Sequence, residues 1–116
     1  MPHFVLEYAA DIEQTVDIPK TMKAVQDVAD ECDFMNLADV KIRAKAFDHY
    51  LMPEPGQTFF HVTVYLLEGR TDEMKEGLAI DLRSVLEKLM PTVTSIGIDV
   101  RDMNRTAYKK RVLDQV

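Results

Sequence analysis

From His3 to Tyr8 the chain is an apolar run with the look of a first strand. Asp17-Ile18-Pro19 then reads as a helix start, since proline in the first helical turn gives up an N–H that has no partner there anyway. Met22, Val25, Val28, Ala29 and Cys32 follow at helical spacing, which predicts one buried stripe to about Asp33. From Val40 the period changes to two. Val40, Ile42, Ala44 and Ala46 fall on one face, with Lys41, Arg43, Lys45 and Phe47 on the other.

Residues 48–57, with Pro53, Pro55 and Gly56, read as a loop, and Thr58 to Leu67 is rich in the aromatic and β-branched residues that suit a strand. Glu68-Gly69-Arg70 breaks that strand. Thr71 can cap a second helix, with Asp72 and Glu73 in its first turn where negative charge is favoured. Met74, Leu78, Leu82, Val85, Leu86 and Leu89 form its apolar stripe, and Met90-Pro91 ends it. Thr94 to Val100 alternates again as a last strand. The arm over 103–116 is basic in its middle and reads as a short helix or as a strap over a neighbour.

The predicted order is β-α-β-β-α-β in one α+β domain spanning 1–116, with two β-α-β halves at about 2–50 and 58–102. Each half implies parallel strands joined by a right-handed helical crossover. Both helices would then cover one face of a four-stranded mixed sheet, leaving the face with Lys41, Arg43 and Lys45 exposed or used in assembly.

Composition adds exclusions. A net charge of -6 argues against nucleic acid as partner, because phosphate binding needs a basic surface. There is no stretch long enough for a membrane span and no basic-then-apolar leader, so a cytoplasmic location is the default expectation. Cys32 is the lone cysteine and is expected as a buried free thiol.

The chemistry begins at Met1-Pro2. Initiator methionine is commonly trimmed before a small residue such as proline, which would leave a secondary amine at the mouth of a strand. Such an amine can serve as a general base or form an imine; the plain alternative is an ordinary exposed terminus. Phe4 and Phe59-Phe60 are expected to give it an apolar wall.

Lys41, Arg43 and Lys45 share one strand face, either as a solvated surface or as an anion site. Arg70, between a strand end and a helix start, is either a loop cation or a second anion contact. His3, His49 and His61 have no metal-ligand spacing, and nothing in the sequence calls for a metal or cofactor.

Pro2-His3-Phe4, Ile42-Arg43-Ala44 with Phe47-Asp48, the strand around His61, and Gly69-Arg70 together resemble the tautomerase superfamily (MIF-like), most closely the 5-carboxymethyl-2-hydroxymuconate isomerases. The resemblance implies a cofactor-independent isomerase in which Pro2 moves a proton within an unsaturated keto or enol carboxylic acid. It implies Arg43, Lys41 and Arg70 as substrate-binding residues, although Lys41 stands where an arginine occurs in the muconate isomerases. It further implies a homotrimer with inward-facing sheets and a place in aromatic (homoprotocatechuate) catabolism. Two alternatives remain open: a tautomerase of another enol acid, and a non-catalytic oligomeric ligand-binding α+β module.

Overall fold

The computed structural model describes residues 2–113; Met1 and the last three residues of the arm, 114–116, lie outside the described residues. Strand β1 (His3–Ala9) leads through a 3₁₀ turn at Ala10–Gln14 into helix α1 (Ile18–Asp30). A second 3₁₀ turn, Leu37–Asp39, precedes β2 (Lys41–Phe47); β3 (Phe59–Leu67), α2 (Asp72–Leu89) and β4 (Ser95–Met103) complete the order. The sheet runs β2-β1-β3-β4. β1 pairs β2 in parallel, β3 pairs β4 in parallel, and the central β1–β3 pair is antiparallel. This is the mixed sheet expected of two β-α-β halves joined side by side.

Alternation decides which face is core. Phe4 and Leu6 of β1 and Phe60, Val62 and Val64 of β3 are fully buried, and they meet Val25 and Ala29 of α1 and Leu82 and Leu86 of α2. Both helices start where capping chemistry places them. The Asp17 carboxylate accepts from the Lys20 N–H at 3.1 Å, and the Thr71 hydroxyl from the Met74 N–H at 3.2 Å. The other face of the sheet carries no helix. Its β2 residues Lys41, Arg43 and Lys45 are exposed.

Three boundaries differ from expectation. α1 stops at Asp30, short of Asp33, because Asp30, Glu31 and Asp33 would crowd negative charge at the negative end of the helix dipole. Cys32 consequently leaves the helical stripe and sits half-buried at the bend. β4 continues beyond Val100 to Met103, since Arg101, Asp102 and Met103 still pair with Tyr65, Leu66 and Leu67. The arm forms no helix over its described part. It makes one turn, in which the Tyr108 N–H donates to the Asn104 carbonyl at 3.0 Å, and then crosses the end of the sheet.

Candidate active site

Pro2 is buried at the start of β1, and its carbonyl accepts from the Lys41 N–H at 3.0 Å, so β2 fixes its backbone. The antiparallel β3 ends beside it, because His3 pairs with Tyr65. Past β3, Gly69 adopts φ +121°, a conformation that glycine reaches without the strain a side chain would bring. That turn returns the Arg70 side chain toward the sheet. Its guanidinium donates to the Leu67 carbonyl at 3.3 Å and to the Phe34 carbonyl at 3.1 Å, and lies 5.9 Å from the centre of the Phe34 ring. Arg70 thus ties the end of β3 to the segment after α1.

Pro2 and Arg70 line one cleft of about 390 Å³. Phe34, Met35, Leu66 and Leu67 form its apolar wall. The aromatic residues expected in that role are elsewhere: Phe4 and Phe60 are fully buried in the core, and Phe60 pairs with Tyr8, toward the far end of β1. Asp33, Asn36 and Asp39 supply the polar lining, none of which the periodicity singled out. One signal was available for Asn36: its side chain accepts from the Ala38 N–H at 3.1 Å, as a residue ahead of a helical turn often does.

Lys41 and Arg43 are outside this lining, on the open face of the sheet. The Lys41 ammonium donates to the Asp39 carbonyl at 3.1 Å. Arg43 Nη1 lies 3.2 Å from His3 Nδ1, and His3 Nε2 lies 3.0 Å from the Tyr108 hydroxyl. A guanidinium can only donate, so Nδ1 must accept and the proton of neutral His3 sits on Nε2, facing the Tyr108 oxygen. Burial, then the charges of Arg43 and Lys41, hold His3 below the usual histidine range, which suits the neutral ring. The arm, read as a short helix or a strap over a neighbour, thus lays Tyr108 against His3 of its own chain.

The arm is pinned at two further points. Arg105 donates to Glu68 through its N–H at 2.7 Å and its guanidinium at 2.8 Å, and Lys110 pairs with the Asp39 carboxylate at 3.2 Å. The arm therefore brings charge to the rim of the Pro2 cleft. A larger groove of about 770 Å³ runs between the end of α1 and α2, but Glu31, Asp33, Glu73 and Asp81 line it and disfavour an anion. Among the described residues no cluster has the makings of a metal site, and no helix is long and apolar enough to cross a membrane.

What the Pro2 cleft offers chemically is a backbone nitrogen against an apolar wall with a guanidinium opposite. The guanidinium has more donors than its two carbonyl bonds use, so it can still receive a carboxylate.

Comparison with known proteins bears on the fold and the family. No curated protein matches the chain at the sequence level. A crystal structure of a 5-carboxymethyl-2-hydroxymuconate delta-isomerase superposes with a TM-score of 0.84 at 13% identity, covering 97% of this chain and 88% of the other. A 5-carboxymethyl-2-hydroxymuconate isomerase from Deinococcus radiodurans R1 gives 0.84 at 20% identity, covering 95% and 88%. A macrophage migration inhibitory factor-like protein from Entamoeba histolytica gives 0.68 at 13% identity, covering 95% of each chain. A fused 4-OT protein solved as a symmetric trimer gives 0.73 at 21% identity, covering 90% and 87%. These likenesses establish the tautomerase fold. The family model for 5-carboxymethyl-2-hydroxymuconate isomerase matches residues 2–110, so the chain belongs to that isomerase family.

Proposed function

We propose that the protein isomerises 5-carboxymethyl-2-hydroxymuconate, or a closely similar unsaturated keto or enol dicarboxylate, with Pro2 as the proton carrier. One observation carries the reading: Pro2 and Arg70, far apart in sequence, line the same cleft. With Met1 removed, the Pro2 nitrogen is a secondary amine. A model α-amino group titrates near about 8, and both desolvation and neighbouring cations lower that value. A neutral Pro2 takes a proton from the substrate and returns it to another carbon, acting as base and then acid.

Arg70 holds a substrate carboxylate and steadies the dienolate charge. Lys41 and Arg43 play a less direct part as substrate-binding cations: they keep the potential positive beside β1 and favour an anionic substrate at its mouth. The reaction needs no cofactor in this scheme. The assembly is a homotrimer, as in the 4-OT relative, and the reaction belongs to aromatic catabolism in the cytoplasm. A second reading keeps the same machinery for a different enol acid, because nothing in the cleft distinguishes one carboxylate-bearing enol from another.

The test compares protein verified by intact mass to lack Met1 with protein verified to retain it. Turnover of 5-carboxymethyl-2-hydroxymuconate should fall by about three orders of magnitude when Met1 stays, since an amide nitrogen is not a base. Full activity in the Met1-retaining protein sinks the role of Pro2. Turnover of a phenylpyruvate enol but not of the muconate favours the second reading.

A further inference from the structure

The cleft has an imbalance that the proposed chemistry must overcome. An anionic substrate and a neutral amine both call for positive surroundings, yet the lining sets Asp33 and Asp39 against the single cation Arg70. The correction comes from the far end of the chain. Lys110 reaches back to the Asp39 carboxylate at 3.2 Å, and its side chain keeps only 20% of its exposure while Asp39 keeps 34%. This is a partly desolvated pair, where charge is screened less than on open surface.

We propose that Lys110 is a positioning residue for the reaction: by pairing with Asp39 it keeps the Pro2 cleft receptive to an anion and keeps the Pro2 amine neutral at working pH. The inference rests on the reading of Pro2 as the base. Lys110 touches neither substrate nor the reacting atoms and acts through Asp39.

Two further observations support the assignment. The hydrogen bond from Lys110 is the largest influence holding the Asp39 carboxyl below the usual carboxylate range. The arm is also held just ahead of Lys110 by Arg105 on Glu68, a hold that does not depend on Tyr108, so Lys110 is delivered to a set place. The groups around Pro2 include Arg43, bonded to His3, Tyr65, paired with His3 across β1 and β3, and Glu68 with Arg105 at the end of β3. Asp33, Asp39 and Arg70 line the cleft, His3 and Lys41 are at the adjoining strand ends, and Tyr108 and Lys110 come from the arm. Removing Lys110 deletes one positive charge from this set and leaves the Asp39 carboxylate in place. Negative potential stabilises an ammonium, so the Pro2 amine then holds its proton to higher pH and the anionic substrate binds less well.

The experiment measures pH–rate profiles on the muconate with mass-verified, Met1-free protein. In Lys110→Ala, KM should rise about fivefold and the acid limb of kcat/KM should move to higher pH by about 0.5 to 1. Lys110→Arg should restore both, and so should Asp39→Asn placed in the Lys110→Ala background, because it removes the charge that Lys110 offsets. Tyr108→Phe, which breaks the arm's bond to His3 without changing charge, should leave the acid limb where it is.

An unmoved acid limb in a folded Lys110→Ala protein overturns the inference. So does an equal movement in Tyr108→Phe, which would mean that the arm acts by covering the cleft. If instead the Met1-retaining wild type turns over normally, the Pro2 reading itself fails, and that outcome is separate from either of these.

Discussion

Replacing Arg70 by lysine separates the structural role of this side chain from the substrate contact proposed for it. The guanidinium is a strut: it donates to the Leu67 carbonyl at 3.3 Å and to the Phe34 carbonyl at 3.1 Å, and it rests 5.9 Å from the Phe34 ring centre. Lysine keeps the charge but has no fork, so it can reach one of these carbonyls at most. Each lost bond to a charged donor is worth up to about 1.5–3 kcal/mol when buried, and Arg70 is only half-buried, so roughly 1 kcal/mol for the lost bond is the fair discounted figure. The ring contact adds about 0.5 kcal/mol, and the strain of re-packing brings the total to about 2 kcal/mol. With about 2 cal/mol/K per residue of unfolding entropy over 116 residues, the thermal midpoint should fall by about 8 °C.

The second role is the proposed contact with substrate. A bidentate grip on a substrate carboxylate becomes a point contact, which should lower kcat/KM by about 30- to 100-fold, or about 2–3 kcal/mol of transition-state binding. The assays are calorimetric melting at one fixed protein concentration, because assembly shifts the midpoint, and initial-rate kinetics on the muconate. A midpoint within about 2 °C of wild type refutes the strut. A kcat/KM within twofold of wild type, as about 0.4 kcal/mol at most, refutes the carboxylate contact whatever the melting shows.

The remaining predictions concern stability. His3 titrates below its unfolded value, so the unfolded chain binds the extra proton: stability is complete above about pH 6.5 and is lost as pH falls through the lowered folded value. Denaturant titrations at pH 7.5 and 5 should therefore show a loss that is smaller in His3→Gln; an equal loss in both proteins removes His3 as the cause. Leu82 is fully buried between α2 and the sheet, and Leu82→Ala should cost about 3 kcal/mol through the cavity it leaves, read as a lower denaturation midpoint with unchanged slope.

Much of this was legible from particular residues. The alternation at Lys41–Phe47 and Thr58–Leu67, the cap at Asp17 with Pro19, and the cap at Thr71 each act within a few residues of themselves, so the order of elements followed directly. Pro2 and Arg70 stood out because each sits at an element boundary. Other parts were hidden for a common reason. The wall of Phe34, Met35, Leu66 and Leu67 comes from two segments that meet only once β1 lies between β2 and β3. The arm showed no period, and its contacts to Glu68, His3 and Asp39 span 37, 105 and 71 positions.

The sequence by itself determined the α+β element order, the buried face of each strand and the identity of the chemically distinctive terminus, because hydrophobic period, capping and turn chemistry are local. Only the tertiary structure decided which cation faces Pro2. Lys41 and Arg43 share β2's exposed face and stay outside the cleft, while the glycine turn at Gly69 sends Arg70 into it. It also decided that a lysine near the end of the chain balances an aspartate near the middle. Charge complementarity of that kind depends on distance through space, which no pattern along the chain encodes.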